Sequence, residues 1–146
     1  MIPVDQRGAS DCLRACIASI FEIPWEDAPD TAPPPSVDDR SWSQHNIVVA
    51  WCKERGVVPW TLEAKPEDRP VLRRGRQIDS EGNERPADFV WPFPFATHYV
   101  GGGKGPRGVE HCVVMRQGKV VHDPHPNRDT TIEHIDSITL FVARLG

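Results

Sequence analysis

The sequence predicts an α+β domain, with a helical lobe at its N-terminal end packed on an antiparallel sheet at its C-terminal end. Three observations lead there. Apolar residues recur at helical spacing near residues 13–21 and again near 47–52. Short β-prone runs fill the last third. Between them, residues 64–95 are charged, proline-studded and aperiodic. Helices first and strands afterwards is the order of helices laid on one sheet. With 146 residues the chain fits one domain, 1–146, with one modest core and a loop-rich insertion at about 64–95.

The first helix starts near Ser10. Leu13, Cys16, Ile17, Ile20 and Phe21 follow the i, i+3, i+4, i+7, i+8 stripe, Ser10 suits the N-cap, and Pro24 stops the helix. Cys16 lies on the buried stripe and reads as structural. Cys12 is one residue off it, in the first turn. After the prolines at 33–35, a second helix is expected over about Ser41 to Arg55, with Trp42, Ile47, Val48, Trp51 and Cys52 available for packing and Gly56 as its stop. Val57 to Leu62 reads as a short strand weakened by Pro59. Ala96–Val100, His111–Met115, Lys119–Asp123 and Ile138–Ala143 read as strands separated by glycine or proline signals, and 101–105, rich in glycine, as a flexible loop and lid beside His111. No internal repeat is present.

Composition narrows the function. The chain is 38% hydrophobic and 26% charged, and no apolar run approaches the roughly 18 to 20 residues that span a bilayer, so no membrane partner is expected. A net charge of −4 offers phosphate backbones no general attraction, so no nucleic acid partner is expected either. The start, Met1-Ile2-Pro3-Val4-Asp5-Gln6, lacks the pattern of an export signal, and a cytoplasmic protein is expected. Cys12, Cys16, Cys52 and Cys112 form no CxxC pair and are expected to be thiols.

The chemistry gathers around Cys12. A cysteine is nucleophilic as thiolate, and the positive end of a helix stabilises that form. Neighbouring Asp11 opposes it unless its carboxylate points away or caps the helix, so an imidazole is needed to pair with the sulfur, itself oriented by a carboxylate. The run from Glu110 to Pro126 has a hairpin pattern that offers both. With Arg116-Gln117-Gly118 as a three-residue loop, Met115 pairs with Lys119, Val113 with Val121, and His111 with Asp123 on one face. A two-residue loop shifts the register by one and separates the last pair. Acyl transfer also needs donors for an oxyanion, and the Gln6 side-chain amide, brought back by the turn at Arg7-Gly8-Ala9, suits that place beside the Cys12 N–H.

In order and spacing, Gln6, the Asp11-Cys12-Leu13-Arg14-Ala15-Cys16 run, His111 and the His122-Asp123-Pro124-His125-Pro126 run resemble the papain-like cysteine peptidases. They are most similar to the compact double-glycine-leader peptidases that process bacteriocins, and to small phage and actinobacterial papain-like proteins. The likeness covers about residues 1–25 and 96–146. It implies a papain-like fold and a thiol hydrolase of the cysteine-protease type. Cys12 would be the nucleophile, His111 the general base and acid, Asp123 its orienting partner and Gln6 the oxyanion donor. Neither a metal nor an organic cofactor is implied, and the substrate would be a peptide, a protein or a small-molecule amide.

Other readings stand beside this one. His111, Cys112, His122, Asp123 and His125 hold enough donors for zinc, although neighbours on a strand point to opposite faces and do not converge easily. The domain could also be an inactive papain-like module that binds a peptide or small molecule. Trp91 and Phe93, in a rigid aromatic-proline segment, are the candidate lip of a cleft, and His125 is a candidate substrate-lining residue. His122 and His125 otherwise read as turn residues.

Overall fold

A computed structural model describes residues 1–33, 43–63, 71–73, 76–78, 84–86, 95–105, 108–127, 132 and 134–145. The fold is α+β. Helix α1 spans Cys12–Phe21, a 3-10 turn Trp25–Asp27 follows, and helix α2 spans Gln44–Glu54. The strands are β1 (Val57–Glu63), β2 (Val71–Arg73), β3 (Arg76–Ile78), β4 (Glu84–Pro86), β5 (Tyr99–Lys104), β6 (Glu110–Arg116), β7 (Lys119–His122) and β8 (His134–Ala143). Every pairing among them is antiparallel, in the order β4-β3-β2-β8-β5-β6-β7, with β1 also on β8.

Both helices form where the apolar periodicity puts them, with changed ends. Asp11, not Ser10, occupies the N-cap of α1, and its side chain makes no capping bond. The helix closes at Glu22 in a left-handed conformation, two residues before Pro24. In α2 the cap is Ser43, whose hydroxyl accepts the Asn46 N–H, and Gly56 at φ 66° supplies the stop. Trp42 lies outside the described residues. Pro59 is tolerated in β1 because, among the described strands, β1 pairs with β8 alone and so is an edge strand.

Several expectations change: the strand expected over Ala96–Val100 runs Tyr99–Lys104, and the one expected over Ile138–Ala143 starts at His134. Residues 71–73, 76–78 and 84–86, read as loop, form short strands that pair with one another and, through Val71, with His134 of β8. The glycine-rich 101–104 run is β5 itself, between β6 and β8, and not a lid. Glycine is needed there for packing: a Cβ on Gly101 would collide with Met115.

The helices cover one sheet face. Cys16 packs on Val100 and Val114, and Ile17, Ala18, Val48 and Cys52 close the space between α1 and α2. Alternation turns Tyr99, Val113, Met115, Ile138 and Leu140 to the other face, into a second core with Ile132 and Ile135. The N-terminal segment is stitched to both sides: Val4 N–H donates to Ser19 Oγ and Gln6 N–H to the Pro124 carbonyl, each at 2.9 Å. Those bonds hold the start of α1 beside the end of β7. Among the described residues no helix is long and apolar enough to cross a membrane.

Candidate active site

Cys12 is the first residue of α1 and is 8% exposed. The first turn of a helix leaves its N–H groups without helical partners, and their partial positive charge favours a thiolate. The Asp11 carboxylate is folded back over the preceding turn, with Oδ2 2.9 Å from where a Cβ on Gly8 would stand.

His111 and Asp123 meet, by a different route from the expected one. The hairpin turn has two residues, Gln117 and Gly118, at φ 50° and 75°, which is the type I′ pattern. Arg116 therefore faces Lys119 and Met115 faces Val120, one step off the three-residue register. Left alone, that slip would separate the pair. A β-bulge after Met115 absorbs one residue of β7, so that Val114 faces His122. Continued past the strand end, this register sets Asp123 opposite Val113 and His125 opposite His111. Asp123 thus lies diagonal to His111 on its own face, within reach of a long side chain. His111 Nε2 and Asp123 Oδ1 are 2.8 Å apart, both side chains 8% exposed. The His125 ring stands edge-on to the His111 ring at 6.4 Å, and the His125 N–H donates to the same Asp123 oxygen at 2.9 Å. His125 is thus a second anchor of the carboxylate.

With Nε2 committed to Asp123, Nδ1 is the nitrogen left for Cys12, which borders the same cleft as His111. Cys112 completes the group. It borders the same cleft as Cys12 and His111. These neighbours set the ionisation. The Cys112 thiol acts most strongly on Cys12; burial opposes it; the His111 hydrogen bond and charge and the Cys112 N–H add to it, and the Cys12 thiol falls from 9.0 to about 5. For His111, burial disfavours the cation, but the hydrogen bonds and charges of Asp123 and Cys12 outweigh it and raise the imidazole to about 9. Cys112 moves the opposite way, well above the ordinary thiol, through its bond to Cys12 and its burial. A thiolate–imidazolium pair is thus the stable form between these limits.

Cys16, one turn along α1, is fully buried, and burial pushes its thiol well up, as a structural cysteine requires. Cys52 is likewise raised, to about 11.

The sulfur opens into a cleft of about 370 Å³, bounded among others by Ser10, Pro33, Gln44, His111 and Cys112. Gln6 does not line it. Its amide nitrogen donates instead to the Gly8 carbonyl at 3.1 Å, while its buried Oε1 has no partner among the described residues. The glutamine in the cleft is Gln44, whose amide donates to the Thr31 carbonyl at 3.2 Å. Sequence reading missed it, because a polar residue in the first turn of an exposed helix carries no mark of a site 32 positions upstream. Cys112 was missed for a related reason. Strand alternation argues that it and His111 diverge, yet both border one cleft with Cys12, at the start of α1.

His122 belongs to the scaffold, its Nε2 2.9 Å from the Val4 carbonyl. Among the described residues no three His, Cys, Asp or Glu side chains are grouped to hold a metal ion. Trp91 and Phe93, the candidate lip, lie outside the described residues. Compared with protein-family models, with curated proteins and with solved structures, the chain matches none.

Proposed function

We propose that this chain is a papain-like thiol hydrolase or acyltransferase acting on an amide or peptide-type bond through Cys12, His111 and Asp123. The observation that carries the reading is the buried Asp123–His111 hydrogen bond beside a sulfur at a helix N-terminus, with His111 and Cys12 lining one cleft. A cysteine at the start of a helix, facing a histidine and an aspartate on an antiparallel sheet, is the arrangement of the papain-like fold.

In this reading the Cys12 thiolate attacks the carbonyl carbon, and the electron pair moves onto the carbonyl oxygen. The Cys12 N–H, left over at the start of α1, stabilises that oxyanion together with a glutamine amide. Gln44 already stands in the cleft, whereas Gln6 must first release the Gly8 carbonyl. His111 gives its proton to the departing nitrogen as the C–N bond breaks, leaving a thioester on Cys12. Neutral His111 then takes a proton from water, or from an acceptor amine, and the incoming oxygen or nitrogen displaces the sulfur. Asp123 holds the imidazole in the tautomer that presents Nδ1 to the sulfur throughout.

The test is turnover on a panel of fluorogenic peptidyl and small acyl amides. Cys12→Ala is expected to abolish hydrolysis, and Gln44→Ala to lower kcat by about 10² to 10³-fold, the usual worth of one oxyanion donor. Equal loss from Gln6→Ala would move that role back to Gln6. Unchanged hydrolysis by Cys12→Ala would end the reading.

A further inference from the structure

The mechanism uses one of the two thiols in the cleft. Cys112 borders the cleft beside Cys12, is half-buried, and is the neighbour that acts most strongly on the ionisation of the Cys12 sulfur. It needs no role in acyl transfer beyond that effect. The two cysteines belong to different elements, the start of α1 and the start of β6, so joining them links two ends and interrupts neither ladder. Cys16 is a weaker partner, being fully buried and absent from the cleft lining.

We infer that Cys112 is the resolving thiol of Cys12, and that oxidation by a peroxide closes the site as a Cys12–Cys112 disulfide which thiol reductants reopen. The inference rests on the proposed activated state of Cys12. The chemistry balances in two steps. The Cys12 thiolate attacks one oxygen of hydrogen peroxide, the O–O bond breaks, and hydroxide leaves, giving a sulfenic acid. The Cys112 sulfur then attacks the Cys12 sulfur, the S–OH bond breaks, and the Cys112 proton leaves with that hydroxide as water. Two thiols lose two electrons to one peroxide. A low-molecular-weight dithiol reverses the bond by exchange through a mixed disulfide.

The device has a protective consequence. A sulfenic acid with no thiol beside it goes on to sulfinic acid, which thiols do not reduce. Here the partner borders the same cleft before oxidation, so condensation has only a short path to cover.

The experiment takes the full reduced chain, treats it with increasing hydrogen peroxide, blocks remaining thiols with iodoacetamide, and maps the peptides by mass spectrometry. The expected result is a linked Cys12–Cys112 peptide as the first oxidised species, with dithiothreitol restoring Cys12 to alkylation. In Cys112→Ser, which keeps a hydrogen-bond donor, the recoverable fraction of Cys12 is expected to fall about tenfold as sulfinic acid accumulates. Wild-type protein in which Cys12 becomes sulfinic acid, or links to Cys16, without passing through the Cys112 link would overturn the inference, however the variant folds. A parallel sample, reduced and alkylated at pH 6, separates the two layers. Selective labelling of Cys12 there, with no Cys112 link on oxidation, sinks the disulfide alone. Absent selectivity overturns the activated thiol and the disulfide with it.

Discussion

His111 stands between Asp123 and Cys12, and its protonation follows from those two neighbours. Asp123 and the Cys12 thiolate keep it charged up to about pH 9, and Cys112 first, then His111, keep Cys12 ionised down to about pH 5. The signs give the pH profile. In the proposed hydrolysis, attack fails below about pH 5, where the sulfur takes up a proton, and above about pH 9 the imidazole loses the proton that the leaving nitrogen needs. Turnover is expected to be bell-shaped with flanks near those values, whereas alkylation of Cys12 rises through the lower flank and does not fall at the upper one. Asp123→Asn removes the negative charge with little change of shape. It is expected to lower kcat by about 10² to 10⁴-fold and to draw the alkaline flank downward, because His111 then loses its proton more easily. A steady-state pH profile of the variant checks both effects, and an unmoved alkaline flank would show that the carboxylate does not set the state of His111.

The hairpin of β6 and β7 delivers two of the three groups, and its turn fixes where they stand. Gly118 carries φ 75°, its N–H donates to the buried Tyr99 hydroxyl at 3.0 Å, and the Gln117 N–H donates to the Phe95 carbonyl at 2.9 Å. A side chain at that φ is strained, so Gly118→Ala is expected to destabilise the fold by about 1 to 2 kcal/mol, read as a lower urea midpoint at unchanged slope. Much of this element was legible: β-branched runs around a glycine give a hairpin, and Cys12 at a helix start follows from the spacing of Leu13, Cys16 and Ile17. The turn length was not, since Arg-Gln-Gly fits two and three residues alike. Nor was the bulge, which depends on how Val121 is left out of an edge strand and leaves no composition signature. The right pair was read with the wrong register, because slip and bulge cancel in their effect on which face Asp123 occupies. The strands at 71–73, 76–78 and 84–86 escaped notice because three-residue strands are too short for a period of two to declare itself.

At the scale of the molecule, residues a hundred positions apart form one site because the N-terminal segment is pinned to the far end of the hairpin. Val4 meets His122, Gln6 meets Pro124, and α1 lies against β5 and β6 through Cys16, Val100 and Val114. The activated state proposed for the sulfur therefore depends on the folded chain. The most direct test is the rate of Cys12 alkylation by iodoacetamide against pH, followed peptide by peptide in wild type and in His111→Ala. The wild-type rate should rise with a midpoint near pH 5, ahead of Cys16, Cys52 and Cys112, and in the variant that midpoint should move up but stay below the ordinary thiol value of 9.0, because Cys112 still acts on the sulfur. A wild-type midpoint already near 9, or one that His111→Ala leaves in place, would contradict a thiolate held by this histidine.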